Sequence, residues 1–316
     1  MPMNRHALAH AIALSLAASA ASVHAQDRAA EPEAVELDTL EVRVLPQGGT
    51  ALDATQPVDV IVGEELDDQK ESTLGETLDG ELGVHSTYFG PGAGRPIIRG
   101  LGGNRVRVTE DGLNAQDASA LSPDHAVSAE PLLVDRIEIL RGPATLLYGS
   151  TASGGVVNLV DNRIPEQRQG FSAAAEARGN TAADERAGVF RIDGGVGAFQ
   201  FHVDGFQRET DDYEIPGFAL SADERAELDA DERAELEPGL LENSAQESEG
   251  GTLGVSLVAD WGFVGVAWKD FETLYGIPGG HDHDHDDGHG DDHGEEEEES
   301  ISIDLDQSRY EFRGGL

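Results

Sequence analysis

The second half of the chain is dominated by one pattern, in which small or apolar residues alternate with polar ones from Gly170 onward. A period of two is typical of strands that present different faces to different surroundings. The pattern predicts strands over these stretches: Phe171–Gly179, Arg186–Gly195, Phe199–Thr210, Gly250–Asp260, Phe263–Thr273 and Ile301–Arg313. Tight turns at 195–198 and 261–262 alternate with long connections at 211–249 and 274–300. Short turns on one side and long loops on the other are typical of a transmembrane β-barrel.

The order of these connections places both long loops on the same side, which in a barrel of this kind is extracellular. A bacterial barrel needs at least about eight strands, and six stretches are too few to close one. We therefore expect residues 166–316 to form the N-terminal part of a barrel, and the chain to be the N-terminal part of a longer protein.

Residues 57–165 follow a different pattern, in which short β-branched runs are separated by glycine turns. One helical stretch is predicted near Ser72–Leu82. The predicted strands are Val58–Val62, Arg105–Val108, Arg136–Leu140 and Val156–Val160. Mixed short strands and helix predict a small α+β domain.

The first long loop contains a tandem repeat of eight residues, Ala222–Asp229 followed by Ala230–Glu237. Its Ala, Glu and Arg content favours helix, so we predict a short surface helix that ends at Pro238-Gly239. The sequence does not indicate what this helix does.

The N-terminus resembles an export signal. Arg5 precedes an apolar run over Ala11–Ala20, and a small residue, Ala25, follows. This pattern predicts a secretory signal peptide over residues 1–25. Residues 26–56 form an acidic tail with one β-prone run, Leu40–Val44, that could add as a strand to a partner.

Charge narrows the class of partner. The formal net charge is −41, which excludes nucleic acid as the expected partner and suits a surface that attracts cations. The chain has no cysteine, so neither a disulfide nor a thiolate ligand is available. Because no zinc-protease helix, nucleophile elbow or phosphate loop is present, we predict that the protein is not an enzyme and needs no cofactor.

The second long loop is rich in histidine and carboxylate side chains. The segment after Pro278 has no apolar residue until Ile301, and its histidines are His281, His283, His285, His289 and His293. Neutral imidazole together with carboxylate binds borderline divalent metals such as Zn²⁺. We interpret the segment as a metal-collecting loop. A solvated acidic tract with incidental histidines is the alternative.

Two long signatures in the α+β domain carry a family resemblance. One joins Gly90–Gly100 to Arg105–Leu113, and the other joins Arg136–Ser150 to Gly154–Asn158. Together they resemble the plug domain of TonB-dependent outer-membrane receptors, over roughly residues 57–162.

The resemblance implies a plug inside a barrel of the Gram-negative outer membrane, in contact with lipid and energised by the TonB-ExbB-ExbD complex. The run Leu40, Glu41, Val42, Arg43 and Val44 is similar to the TonB box of the periplasmic tail. The resemblance also implies that Arg99 and Arg141 pair with carboxylates of the barrel wall. Without it, both are ordinary turn-stabilising arginines.

Within the family, the chain is most similar to zinc-uptake receptors. The shared features are the histidine-rich loop introduced by Tyr275–Pro278 and the plug segment Leu121–Ala126. The resemblance implies that Asp124 and His125 belong to a metal site at the plug–barrel boundary. His85 and His202 lack a carboxylate-rich setting and are expected to be structural.

The function expected from these observations is uptake of a divalent metal, most simply zinc, as the transported ligand. Copper or nickel would also bind such a loop, because affinity rises toward copper along the divalent series. Two alternatives stay open. The scaffold could instead serve a ferric siderophore or haem, with Tyr88-Phe89 as the aromatic pair near the apex. A surface metal-buffering protein without transport is the alternative from another class.

Overall fold

The computed structural model describes residues 58–228, 232–281 and 300–316. The first part, up to residue 160, holds short elements only. In chain order these are β1 (Val58–Val62), α1 (Glu64–Gln69), α2 (Leu74–Thr77), β2 (Val84–Ser86), β3 (Pro96–Ile98), β4 (Val106–Glu110), β5 (Leu113–Asn114), β6 (Arg136–Leu140) and β7 (Gly155–Val160). Short 3-10 turns at Gly103–Arg105, Ala118–Ala120, Pro131–Leu133 and Pro143–Tyr148 connect some of them.

A mixed five-stranded sheet organises this part, with strand order β1-β6-β7-β4-β5. Strands β4 and β7 pair parallel, and the other neighbours pair antiparallel. The β-branched residues of β6 and β7 are buried because both faces of these central strands are covered. The core includes Leu66, Leu74, Leu78, Val84, Ile98, Ile137, Ile139, Val157 and Leu159. The α+β domain expected from the sequence is therefore present.

The helix predicted over Ser72–Leu82 is much shorter than expected. Only α2, Leu74–Thr77, is helical, with the Thr73 hydroxyl accepting a hydrogen bond from the Glu76 N–H at its start. Gly80 and Gly83 follow at once, and glycine disfavours helix because the unfolded backbone loses more freedom there.

Six long strands make up the second part: β8 (Ser172–Asn180), β9 (Glu185–Val196), β10 (Phe199–Thr210), β13 (Gln246–Ala259), β14 (Gly262–His281) and β15 (Ser300–Gly315). All neighbours pair antiparallel, in the order β15-β14-β13-β10-β9-β8. The six predicted stretches are thus strands, and β8 and β15 are the two edges of an open sheet.

Two of these strands extend into regions that the sequence assigned to loops. β13 begins at Gln246, and β14 continues from Leu274 to His281, with a register shift between Gly276 and His281. The extension of β14 is held by contact with the first domain, which an alternation pattern along one strand does not reveal.

The first long loop carries its own small elements. Strands β11 (Tyr213–Glu214) and β12 (Leu240–Leu241) form a two-stranded ladder. Between them lie the helices α3 (Ala222–Glu227) and α4 (Glu232–Glu235), which correspond to the two copies of the repeat. Ser221 and Glu224 form a capping box at the start of α3, which explains why the first copy begins a helix there. Residues 229–231 lie outside the described residues.

The outward face of the six-stranded sheet is layered along the strands. Near the tight turns it presents apolar and aromatic side chains, ending in a row where Leu253, Trp268 and Tyr310 lie opposite one another. Two rows further along, Glu249 lies opposite Glu272, and Glu272 opposite Asp306. The apolar band thus ends before the strands reach the histidine-rich segment.

Among the described residues, no helix is long and apolar enough to span a membrane. The predicted signal peptide and the tail of residues 26–56, with Leu40–Val44, lie outside the described residues.

Candidate functional site

The plug turn that carries Asp124 and His125 is built on local hydrogen bonds. The His125 Nδ1 lies 2.9 Å from Oδ1 of Asp124, and the Ser122 hydroxyl donates to the same carboxylate oxygen. The hydrogen bond from Ser122, followed by that from His125, holds the pKa of Asp124 below its usual range. Asp124 is therefore ionised at neutral pH and available to orient the imidazole.

This arrangement divides the roles of the two side chains. When His125 is neutral, its bond to the carboxylate places the ring proton on Nδ1 and leaves Nε2 with a free lone pair. Metal-binding histidines commonly have such a carboxylate behind the ring, which fixes the tautomer and raises the basicity of the ligand atom. The geometry suits His125 as the metal ligand and Asp124 as its orienting partner.

The six-stranded sheet, which we call the wall, holds the turn through β14 and β15. The Tyr275 hydroxyl accepts from the Ala126 N–H at 2.7 Å and donates to the Asp124 carbonyl oxygen at 3.0 Å. On β15, Gln307 accepts from the Ser128 hydroxyl at 3.0 Å. His125 lines an open cavity of about 370 Å³ between plug residues 116–118 and wall residues 303–307.

The described residues do not complete a metal site by themselves. Within residues 58–228, 232–281 and 300–316, no group of three or more His, Cys, Asp or Glu side chains is arranged to hold a metal. Zn²⁺ in proteins is usually four-coordinate, so a zinc ion bound by His125 would need further ligands from elsewhere. Of the loop histidines, His281 is the last residue of β14, and His283, His285, His289 and His293 lie outside the described residues.

A buried charge cluster also joins the plug to the wall, six residues along β14 from Tyr275. Glu110, at 1% exposure, accepts from the Lys269 ammonium of β14 at 2.8 Å and from the Arg163 guanidinium. Arg163 also binds Asp161, with Nε 2.9 Å from Oδ1. Lys269 donates in addition to the Ser128 carbonyl oxygen at 2.9 Å.

Electrostatics explain why these carboxylates stay charged in a buried position. Burial opposes the ionisation of Glu110, but the Lys269 ammonium and the Arg163 guanidinium outweigh it and hold the pKa of Glu110 below its usual range. Burial likewise opposes ionisation of Asp161, and Arg163 holds the pKa of that carboxyl far below normal. The cluster therefore binds through full charges at neutral pH.

The two arginines expected to pair with wall carboxylates have other surroundings. Arg141 pairs with Asp59 on β1, within the plug, and donates to the Leu82 carbonyl oxygen at 3.3 Å. Arg99 is exposed and has a positive φ of 51°. Neither contacts a carboxylate from the described part of the wall.

Plug–wall ion pairs do exist, but in three of them the carboxylate belongs to the plug and the basic residue to the wall. Plug carboxylates pair with basic residues that face inward from the strands: Glu110 with Lys269, Glu130 with Arg208, and Asp135 with Arg191. The sequence did not single out these wall residues. The period-two alternation, which places them on the inward face, is the signal that would have found them.

His202 corrects another expectation, because its surroundings are rich in carboxylates. It is fully buried on β10, with Nδ1 2.8 Å from Asp193 and Nε2 2.7 Å from Asp204. Asp204 lies two residues along the same strand face and could have been read from the alternation, whereas Asp193 lies directly opposite on β9 and is revealed only by strand pairing. Since both ring nitrogens are engaged, His202 has a structural position in the wall. His85 is exposed, with Nδ1 3.6 Å from Asp79.

Comparison with known proteins places the first domain in a family. Residues 50–156 match the model of the TonB-dependent Receptor Plug Domain. The chain is 32% identical over 177 residues to a hemin receptor of Yersinia pestis, a match covering 54% of this chain and 25% of that protein. It is also 32% identical over 177 residues to a vitamin B12 transporter of Vibrio cholerae, covering 55% of this chain and 27% of the transporter.

Solved structures with the same architecture share little sequence. A ferric enterobactin receptor from Pseudomonas aeruginosa superposes with a TM-score of 0.51 at 17% identity, covering 71% of this chain and 34% of the receptor. A copper transporter superposes with a TM-score of 0.52 at 18% identity, covering 66% of this chain and 29% of the transporter. Such likeness shows the fold.

The chain spans 25% to 31% of the length of the hemin receptors it matches in two Yersinia species. The family match falls on the domain whose glycine and arginine signatures carried the resemblance, and the superposed structures share a fold with 66% to 71% of the chain. The chain therefore contains a domain that matches the TonB-dependent receptor plug domain, followed by six antiparallel strands that share the fold of the superposed receptors.

Proposed function

We propose that the protein is a TonB-dependent outer-membrane transporter that takes up a divalent metal, with zinc as the primary cargo. One observation carries the proposal: His125 lines an open cavity at the plug–wall boundary, with its ring oriented by an ionised Asp124. The wall strands that hold this turn, β14 and β15, are also the strands on either side of the histidine-rich segment. In this proposal, the segment that captures the metal and the plug residue that binds it are attached to the same two strands.

The two groups of ligands have different roles in this proposal. A segment of clustered imidazoles and carboxylates raises the local concentration of cations but imposes little geometry. A transport site needs a few fixed ligands on an element that moves when TonB pulls, and the plug is that element. The tail run Leu40–Val44 is proposed as the strand that TonB binds.

The test is zinc uptake by the full-length protein in cells with and without TonB. Asp124→Ala with His125→Ala should abolish TonB-dependent uptake at all zinc concentrations. Deleting residues 281–299 should impair uptake mainly when zinc is scarce. Deleting residues 40–44 should abolish uptake while leaving zinc binding intact.

The opposite pattern would reject these roles. If the double variant transports zinc normally and the deletion of residues 281–299 is inactive even at high zinc, then the loop forms the path. If no variant changes zinc uptake, zinc is not the cargo.

A second candidate cargo is haem or a ferric siderophore. The similarity to hemin receptors of two Yersinia species favours it, as does the exposure of the apical pair Tyr88 and Phe89. Aromatic side chains on a plug apex offer stacking surface to a flat macrocycle or a catecholate. Growth on haem or ferric enterobactin as the sole iron source distinguishes this cargo, and Tyr88→Ala with Phe89→Ala should then abolish growth.

A further inference from the structure

Tyr275 touches the backbone on both sides of His125. Its side chain is 1% exposed, and its hydroxyl bridges the Ala126 N–H, at 2.7 Å, and the Asp124 carbonyl oxygen, at 3.0 Å. The phenol thus satisfies two backbone groups that flank the residue whose imidazole faces the cavity. No other described side chain donates a hydrogen bond to the Asp124 carbonyl oxygen.

Packing, rather than the hydroxyl, places the ring. A Cβ added at Gly92 would lie 2.6 Å from the Cβ of Tyr275, so the ring is wedged against the 90–93 loop of the plug. Ala93, Ala126, Ile277 and Ile303 complete an apolar cluster around it. Removing only the hydroxyl therefore leaves the ring in position, and the effect of the two hydrogen bonds can be measured separately from that of packing.

The same stretch of plug is held a few residues further on. Lys269 donates to the Ser128 carbonyl oxygen at 2.9 Å, and Gln307 accepts from the Ser128 hydroxyl at 3.0 Å. Residues 124–128 are thus fixed to β14 at two points and to β15 at one. Tyr275 is the contact nearest to His125.

We propose that Tyr275 is a positioning residue that fixes the Asp124–Ala126 turn so that the His125 ring is presented to the cavity in one orientation. The link from this orientation to zinc affinity rests on the proposed function. Residues that orient a metal ligand through hydrogen bonds behave in this way, and their loss costs about ten- to a hundredfold in metal affinity.

The first test does not depend on metal. Amide hydrogen exchange over residues 122–128 is measured in the metal-free, full-length protein in detergent for Tyr275→Phe and for Tyr310→Phe. Tyr310 is the matched control, since it lies on the neighbouring strand with its side chain 82% exposed on the outward face. In Tyr275→Phe the Ala126 N–H loses the hydroxyl that accepts its hydrogen bond, so exchange of this amide should be about tenfold faster. Tyr310→Phe should leave it unchanged. Equal exchange in the two variants overturns the proposal.

The second test measures zinc affinity in a background where His281, His283, His285, His289 and His293 are replaced by Asn, so that the plug site is observed alone. Tyr275→Phe should bind zinc about tenfold more weakly than the background, and Tyr310→Phe should match it. One combination of results overturns the positioning role. In it, Tyr275→Phe exchanges faster but binds zinc with unchanged affinity, while Asp124→Ala with His125→Ala abolishes zinc binding.

Failure of the proposed function has a different signature. If the Asp124→Ala, His125→Ala double variant binds zinc as tightly as the background, then the plug turn is not a zinc site. In that case the exchange measurement decides alone: faster exchange in Tyr275→Phe supports the control of the turn by Tyr275, and unchanged exchange overturns it.

Discussion

Two junctions join the plug to the wall strands, and they use different chemistry. The charged junction consists of Glu110, Asp161 and Arg163 on the plug with Lys269 on β14, all deeply buried. The neutral junction consists of the Asp124–Ala126 turn with Tyr275, joined by hydrogen bonds to backbone groups. Both use the inward face of the same strand, six residues apart, so the difference lies in the side chains and not in the scaffold.

The comparison shows how one strand can combine a firm anchor with a contact that is easier to release. Separating buried opposite charges leaves ions without partners in a poorly hydrated setting, which costs several kcal/mol. Separating the phenol from two backbone groups costs much less, because water can replace each bond. If force separates the plug from the strands, we expect the neutral junction to open first, and this junction includes the candidate ligand His125.

Acid should have the largest effect, because both carboxylates of the charged junction, Glu110 and Asp161, bind protons less readily in the folded protein than in the unfolded chain. The folded-state pKa values of Glu110 and Asp161 lie below their ordinary values. Their stabilisation is therefore complete above about pH 4.3 and is lost as pH falls through the folded pKa values. The urea midpoint of the protein in detergent, measured between pH 7 and pH 3, should fall steeply at the acid end. A Glu110→Gln variant should show a flatter profile, and an identical profile would contradict the assignment.

Lys269→Met should have the next largest effect. The substitution keeps most of the side-chain volume but leaves Glu110 with one cationic partner fewer, and we expect a loss of about 3 kcal/mol in the free energy of unfolding. Denaturant unfolding of the purified protein measures it. The double variant with Glu110→Gln should recover part of the loss, because the unpaired charge is gone. A double variant as unstable as the sum of the two single variants would show that the two residues are not coupled.

Tyr275→Phe should have a smaller effect on stability, of about 1 kcal/mol, because the ring packing stays and only hydrogen bonds are lost. The measurement is again the unfolding midpoint, with Tyr310→Phe as the reference. A loss as large as that of Lys269→Met would remove the distinction between the two junctions.

Asp260→Asn should have the smallest effect. Asp260 lies 3.6 Å from Arg168 in an exposed pair, and such pairs are screened by water and salt. We expect no measurable change in the unfolding midpoint at any ionic strength. A clear fall in the unfolding midpoint would show that exposed ion pairs near the tight turns also hold the plug. The difference between the ion pairs would then depend on their position and not on their burial.

Much of the fold was predictable because strands repeat with a period that local sequence records. β10 spans Phe199–Thr210, the stretch that alternation assigned to it. The four plug strands predicted from β-branched runs coincide closely with β1, β4, β6 and β7, because these residues pack well in buried sheet, whereas the short strands β2, β3 and β5 were not predicted. The limits of β14 were wrong, since the segment from Leu274 to His281 is rich in glycine and proline and is held as strand by the plug and by β15.

The candidate site was predictable only as a pair of residues. Asp124 and His125 were singled out by resemblance, and their order in the sequence already allows the contact between them. The proposed division into ligand and orienting carboxylate required coordinates, because it depends on which oxygen the imidazole and the Ser122 hydroxyl share. The carboxylate-rich setting of His202 was missed for a related reason, as Asp193 is nine residues away and reaches it across a strand pair.

The sequence by itself determined the succession of the six long strands, the plug signature and the composition of the histidine-rich segment, because each depends on residues close together along the chain. Only the tertiary structure decided which plug group each inward side chain meets. Lys269 contacts Glu110, which is 159 residues away in the sequence, and Tyr275 contacts Ala126, which is 149 residues away. Contacts at that separation depend on how the sheet packs against the plug, and that packing is a property of the folded molecule as a whole.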